Sequence, residues 1–367
     1  MNWLDPLLCV AGGICLGAVA WLWVGLGRRG AGRTAELPRV SVIVPARNEE
    51  EHLGECLQAL RDQEYPGDWE VVVVDDRSAD TTGEIARREG GSWERLKLVT
   101  VVGEPRFKCP KKSALARGIE ASSGELLLLT DADCRPQVGW VKSMVGLFTE
   151  EVGLVAGYAF PDPGERVRQK LLALDNLAVG ALGAGSFGMG RMLSCTGRNL
   201  AYRRRVYDEV GGFERIGHLV GGDDVYFARI VAAETNWKLV FNRDREADVV
   251  NAPPPVRLGE IINQKLRHAA KGGHYQGPAL LLGTAVYLFH FFLLLGLIGM
   301  VFESRLDPLF LSVWGARWAA DCGLLWRMAR REERPLLLGL PLLELCYIPY
   351  VLLFTLMGRS GWFRWKS

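Results

Sequence analysis

Residues 126–134, LLLLTDADC, decide how the rest of the chain is read. Four leucines run straight into Thr130, Asp131, Ala132 and Asp133. An apolar run this short, bounded by polar residues, predicts a strand buried on both faces. Such a strand delivers two carboxylates, one residue apart, to its carboxyl end, the edge at which open α/β sheets bind their ligands. Carboxylate oxygens are hard ligands suited to Mg2+ or Mn2+, ions that bridge a few carboxylates to substrate phosphates. A D-x-D triplet also arises by chance in loops. The neighbouring strands therefore choose between a metal–diphosphate site and an ordinary turn.

Upstream, residues 40–44 form a β-branched run ending at Pro45, and Leu53, Leu57 and Leu60 give residues 49–61 a helical stripe. Residues 70–74 predict a second strand that ends in Asp75-Asp76, after which Ser78 or Asp80 can cap a helix running to Glu89. Residues 96–102 read as a third strand, 111–121 as a helix and 125–130 as the organising strand. This β-α-β-α-β-α-β order predicts a mostly parallel sheet with helices on both faces. No G-x-G-x-x-G follows the first strand, which argues against a dinucleotide-binding dehydrogenase. The strand ends gather Pro45-Ala46-Arg47-Asn48-Glu49, Asp75-Asp76-Arg77-Ser78 and Asp131-Ala132-Asp133 on one edge. Any one set reads as a cap or a turn; three acidic ends on one edge read as a site.

The 367 residues carry a net charge of +2, so no global field points to nucleic acid. Residues 6–26 hold no charge and are long enough to span a bilayer. Arg28, Arg29 and Arg33 follow this run and none precedes it, the reverse of a secretory signal. The pattern predicts an anchor with its amino terminus outside and the following domain in the cytoplasm. Residues 278–302 form a second run, with His290 alone titratable, and residues 335–357 a third, interrupted by Pro341, Glu344 and Pro349. Residues 309–326 are apolar but carry Arg317 and Asp321, and either span or lie in the interface. Arg327, Arg330, Arg331 and Arg334 and the tail with Arg359, Arg364 and Lys366 all favour the cytoplasm, which a break or re-entrant turn at Pro341 or Pro349 would satisfy. The expected organisation is an anchor and linker (1–39), an α/β domain (40–254), an interface helix (255–277) and a carboxyl-terminal membrane region (278–367). The eight cysteines form no C-x-x-C pair and read as free thiols.

The second half of the α/β domain is less regular. Residues 153–158 predict a strand. Residues 171–192, rich in Gly, Ala and Leu, suit either a core helix or a lipid- or acceptor-facing surface. Gly221-Gly222-Asp223-Asp224 precedes a helical run at 225–231, with Asp223 placed to cap it. Leu258, Ile261, Ile262 and Leu266 stand at helical spacing, an amphipathic pattern for a membrane surface, with Gln264, Arg267 and His268 on the polar side.

Six ordered motifs, VSVIVPARNEE, VVVVDDRSAD, KKSALARG, LLLLTDADC, TGRNLAYRR and GGDDVYFAR, together resemble the inverting family 2 glycosyltransferases of GT-A fold over residues 40–275. Their membrane setting is similar to that of ceramide glucosyltransferases and other lipid-modifying members. The resemblance implies a nucleotide-diphospho-sugar donor contacted by Pro45, Arg47, Glu49, Asp76, Lys111 and Asp131, with Lys112 the neighbouring alternative to Lys111. It implies Mg2+ or Mn2+ on Asp133 with Asp131, and Asn199 on the acceptor side. It makes Asp224 the base, with Asp223 beside it: an acceptor hydroxyl has a high pKa and must lose its proton as it attacks, which a positioned carboxylate accelerates about 10²–10⁴-fold. Gln264, Arg267 and His268 match the family's Q-x-x-R-W motif with His in place of Trp. Arg267 would neutralise the leaving diphosphate, and the missing Trp weakens processive polymerisation. The expected protein is an integral membrane enzyme facing the cytoplasm that moves one sugar to a lipid hydroxyl, without nucleic acid. A processive polysaccharide synthase and a non-catalytic scaffold with a vestigial nucleotide site are the alternatives. The motifs select neither the donor sugar nor the lipid and set no oligomeric state.

Overall fold

The structure, a computed structural model, describes residues 5–28, 30, 32–270, 278–303 and 307–357, and only the backbone of residues 5, 267, 268, 270, 278, 279 and 303. Arg29, Arg359, Arg364 and Lys366 lie outside the described residues, as do the side chains of Arg267 and His268. The chain divides into two compact units. One comprises Arg28–Asp162 and Leu182–Ala252; the other comprises the described parts of Met1–Gly27, Pro163–Ala181 and Pro253–Ser367. Relative to the expected 40–254 domain, the α/β unit gains residues 28–39 and gives up residues 163–181, 253 and 254.

In chain order the elements are α1 (Asp5–Gly27), β1 (Val40–Ala46), α2 (Leu53–Arg61), β2 (Trp69–Asp75), α3 (Thr82–Gly90), β3 (Leu96–Thr100), α4 (Pro110–Ala121) and β4 (Leu126–Leu129). There follow β5 (Cys134–Pro136), α5 (Trp140–Val145), β6 (Val152–Gly157), β7 (Ala159–Pro161), α6 (Val167–Gly188), β8 (Leu200–Arg203), α7 (Arg204–Glu209), α8 (Val225–Glu234), β9 (Lys238–Asn242) and β10 (Val249–Asn251). The chain closes on α9 (Leu258–Ala270), α10 (Pro278–Glu303), α11 (Pro308–Met328) and α12 (Leu340–Met357).

The main sheet has the order β3-β2-β1-β4-β8-β6-β9. All its strands are parallel except β8, which runs antiparallel to both β4 and β6. Successive strand residues point to opposite faces. Val42, Val44, Val71, Val73, Leu126 and Leu128 enter one core, with Leu53, Leu57 and Leu60 of α2. Ile43, Val72, Val74, Leu127 and Leu129 enter the other, with Leu115 and Ile119 of α4 and Phe227 and Val231 of α8. Each such side chain, fully buried, contributes about 1.5–3 kcal/mol, and a one-residue slip in any strand would exchange its two faces. The chain leaves β1 towards β2 and β3, then returns to β4 on the other side of β1, so a crevice opens at the carboxyl ends of β1 and β4. A smaller sheet, β5-β10-β7, adjoins the D-x-D segment through β5. The helix expected from Glu49 starts later, at Leu53, because Asn48 is left-handed (φ 53°) and His52 N–H closes a turn on Glu49 O at 3.1 Å.

In the second unit α1 packs against α10 and α11, α10 against α12, and α9 against α12. Leu8, Cys15, Phe289, Leu293, Phe310 and Ile348 form its core. Among the described residues, four stretches are long and apolar enough to cross a membrane: Pro6–Gly27, Val167–Gly188, Leu280–Phe302 and Arg334–Met357. The second of these, α6, is an addition to the expected spans. The α11 helix, at the expected fourth segment, is not among them; it carries Arg317, whose Nε pairs with Asp321 Oδ2 at 2.7 Å one turn on. The break expected near Pro341 is a 3-10 turn over Arg334–Gly339, and Pro341 then occupies the first turn of α12, where a missing N–H is tolerated. Pro349 lies within α12. On α9, Leu258 and Ile262 are exposed while Leu266 is buried.

Candidate active site

Backbone geometry builds the first wall of the crevice. Asn48 and Arg77, immediately beyond β1 and β2, both adopt left-handed conformations, with φ of 53° and 59°. Such positions cost non-glycine residues about 1–2 kcal/mol and persist where the surroundings hold them. Here the two loops lock each other. Asn48 N–H donates to Ser78 Oγ at 3.1 Å, Ala79 N–H to Asn48 Oδ1 at 2.8 Å, and Glu49 N–H to Thr82 Oγ1 at 2.8 Å. Asp80, one of the two expected caps, accepts from Thr82 N–H at 3.0 Å. Asp76 is buried, its N–H donating to Ala46 O at 2.8 Å and its carboxylate held by Arg77 Nε at 2.8 Å. Pro45, Arg47 and Glu49 line this loop and are partly buried.

The D-x-D segment forms the second wall. Ala132 is buried between two partly exposed aspartates. Cys134 N–H closes the turn on Asp131 O at 3.1 Å, and Cys56 Sγ reaches the same carbonyl at 3.6 Å. Burial, reinforced by the neighbouring aspartates, pushes the Cys56 and Cys134 thiols up, so both stay protonated near neutrality. Two polar atoms on this edge, Arg47 Nε and Thr130 Oγ1, are buried with no hydrogen-bond partner among the described residues. Unpaired buried polar atoms are rare in folded proteins.

Lys111, in the first turn of α4, joins this wall to the second half of the unit. Its Nζ stands 2.6 Å from Asp131 Oδ1 and 3.6 Å from Asp223 Oδ2. Burial acts to lower its pKa, but Asp131 and Asp223 outweigh it and raise the group above the ordinary lysine value. Of the two adjacent lysines, Lys111 is therefore the one on the acidic edge. Lys112 is fully buried and points the other way, to backbone carbonyls; the sequence offered only the KK pair as a signal for this second role.

Asp224, and not Asp223 as expected, caps α8: its Oδ1 accepts from Val225 N–H at 2.6 Å, and Oδ2 lies 3.4 Å from Gly197 N. Asp223 is left to face Lys111. Asn199 calls for a second correction. Its side chain is fully buried, takes Trp140 Nε1–H at 2.9 Å, and donates to the carbonyls of Tyr158 at 2.8 Å and Ala247 at 2.7 Å. A Cβ at Gly157 would strike it. Asn199 therefore ties β6, α5 and the 247 turn together and offers nothing to an acceptor. Gln264, Arg267 and His268 lie on α9, in the other unit.

Asp131 and Asp133 offer hard oxygen donors suited to a divalent cation. Among the described residues, however, no group of three or more His, Cys, Asp or Glu side chains is placed to hold a metal ion. An ion on this pair would need further oxygens from a substrate, as Mg2+ sites that use substrate phosphates do.

A family model, described as glycosyl transferase family 2, matches residues 41–211, which include both walls of the crevice. The chain is 30% identical to glycosyltransferase AglE of Haloferax volcanii over 64% of its own length and 73% of that protein's. It is 32% identical to beta-monoglucosyldiacylglycerol synthase of Trichormus variabilis, over 32% of its own length and a quarter (25%) of the synthase. Among solved structures, mannosyltransferase PcManGT from Pyrobaculum calidifontis, in complex with GDP-Man and Mn2+, aligns over 97% of this chain and 98% of that one, with a TM-score of 0.59 at 22% identity, a likeness of fold.

Proposed function

The chain belongs to glycosyl transferase family 2, and we propose that it moves a single sugar from a nucleotide-diphospho-sugar to a hydroxyl of a membrane lipid, with inversion. The observation that carries this reading is Lys111, which bridges Asp131 at the end of β4 to Asp223 in the loop before α8. That contact draws the D-x-D edge and the adjacent acids of the base loop into one charged site. Membership of an enzyme family displaces the non-catalytic scaffold.

In this reading Pro45, Arg47, Glu49 and Asp76 cradle the nucleoside at the crossed loops. Asp133, with Asp131, holds a divalent cation, which when bound offsets the charge of the diphosphate. Lys111 adds a fixed ammonium beside it. Asp224 takes the proton of the acceptor hydroxyl. Its capping bonds fix the orientation of its carboxylate, and an ionised carboxylate, with about four lone-pair sites, accepts several hydrogen bonds at once. Arg267 keeps its motif-based assignment to the leaving diphosphate.

The lipid acceptor rests on the four candidate membrane spans and on the similarity to a diacylglycerol-modifying synthase. With the first span oriented by the arginines behind it, the catalytic unit faces the cytoplasm. His268 in place of Trp favours one transfer over polymerisation. The test is incubation of the purified protein in detergent with a panel of nucleotide sugars, a total lipid extract and Mn2+ or Mg2+. A lipid carrying one added sugar is expected. Long polymer, or transfer to water-soluble acceptors alone, would overturn the reading.

A further inference from the structure

We infer that Lys112 is a positioning residue: its buried ammonium tethers the loop that carries Asp223 and Asp224. This rests on the assignment of chemistry to that loop. The loop runs from the end of α7 to α8 and includes no strand of either sheet. Four of its glycines, 211, 212, 221 and 222, are left-handed, so its backbone has little intrinsic preference for one path. What holds it is the segment just before and within the first turn of α4.

Lys112 is 0% exposed; its Nζ donates to Ile216 O, in a short hydrogen bond, and to Leu219 O at 2.9 Å. Lys108 N–H donates to Gly217 O at 3.0 Å, and the Phe107 ring packs so tightly on Gly217 that a Cβ there would stand 2.5 Å from it. These contacts span residues 216–219 and stop four residues short of Asp223. Lys112 itself is fully buried, so water does not stand in for its ammonium; without it Ile216 O keeps only the Leu219 N–H at 3.1 Å, and the partly buried Leu219 O loses its charged donor. The adjacent lysines thus divide the work. Lys111 meets the acids, and Lys112 holds the backbone that presents them. A misplacement of about 1 Å in such a group can cost about 10²-fold in rate.

The test compares Lys112→Met, similar in volume and without donors, with the parent protein. Three quantities are read: affinity for the donor nucleotide (UDP or GDP, whichever the parent binds), transfer rate, and amide exchange by peptide. The expected result is nucleotide affinity within about twofold of the parent, a kcat lower by about 10²-fold, and faster exchange confined to 214–222. Lys112→Gln, which keeps an uncharged NH2 with two N–H donors on a shorter side chain, should fall between the two. Parent-like kcat and exchange in Lys112→Met would refute the tether. So would an equal loss in nucleotide affinity, which would put Lys112 in donor binding. If both variants exchange globally, with β1 and β4 as fast as the loop, Lys112 is a general core residue and the proposal is wrong. Asp224→Asn run alongside separates the two claims: if it keeps full turnover, the base assignment fails while the exchange pattern still judges the tether.

Discussion

The strand edge that carries Asp76 and Asp131 and the loop that carries Asp223 and Asp224 are held in different ways. At the β1–β2–β4 edge, strand register does the work. Ala46 pairs with Asp75 and Ile43 with Leu129, and side chains buried on both faces fix each strand. Moving Asp76 or Asp131 would require moving a strand. At the Asp223–Asp224 loop no register exists, and placement depends on Lys112, Phe107 and a helix cap. Donor-side positions should therefore fail by losing chemistry at a rigid edge. Base-side positions should also fail through loss of order, with the donor edge intact.

The largest expected effect is at the rigid edge. Asp133→Ala removes a hard oxygen donor from a site that has only Asp131 beside it, without disturbing the buried Ala132. Calorimetry of a nucleotide sugar with Mn2+ and with chelator should then give the same weak or undetectable binding, and a melting temperature close to the parent's. Metal-dependent affinity equal to the parent's would remove Asp133 from the metal site.

A smaller effect is expected from Gly222→Ala, which strikes the loop. The residue sits at φ +78°, and a Cβ there would collide with the Tyr226 ring at the start of α8. The strain is about 1–2 kcal/mol, enough to displace the adjacent Asp223–Asp224 pair. Turnover should fall about tenfold while donor affinity stays within about twofold. A variant that instead loses donor affinity would show that the loop and the edge are not separable.

Asn199→Ala should have the smallest effect on chemistry. It strands the Trp140 donor and the Ala247 carbonyl, while Tyr158 O keeps Val249 N–H at 3.0 Å, at a cost of about 1–3 kcal/mol for each group left unsatisfied and not rehydrated. Thermal stability should drop clearly, with kcat per folded molecule near the parent's. A folded Asn199→Ala with lost turnover and parent-like stability would restore Asn199 to the acceptor side.

The contrast between the strand edge and the loop also explains what the sequence could convey. β1, β2 and β4 were legible to within two residues because strands buried on both faces are written as continuous Val, Ile and Leu runs. Their acidic ends came with them. β8 was not legible: its LAYR lies within a segment read as acceptor-facing, and only the ladder reveals it as the antiparallel strand between β4 and β6. β5, β7 and β10 are three residues each, too short to show a period. Asn199 was assigned to the acceptor side through the resemblance of TGRNLAYRR to a family motif, and its burial follows from β6 and α5 closing around it. That Asp224, and not Asp223, supplies the cap is a matter of backbone path that a GGDD string leaves open. Lys112 carried no signal beyond adjacency to Lys111, because its partners are backbone carbonyls more than a hundred residues away.

Asp224→Asn tests the central claim most directly. Asn is as good an N-cap as Asp, so α8 should keep its start while the carboxylate's basicity is lost. Donor affinity by calorimetry and sugar transfer to lipid are measured on the same preparation. Donor affinity should be unchanged and the transfer rate lower by about 10²-fold or more. Transfer at the parent rate, or loss of donor binding in place of turnover, would contradict that claim.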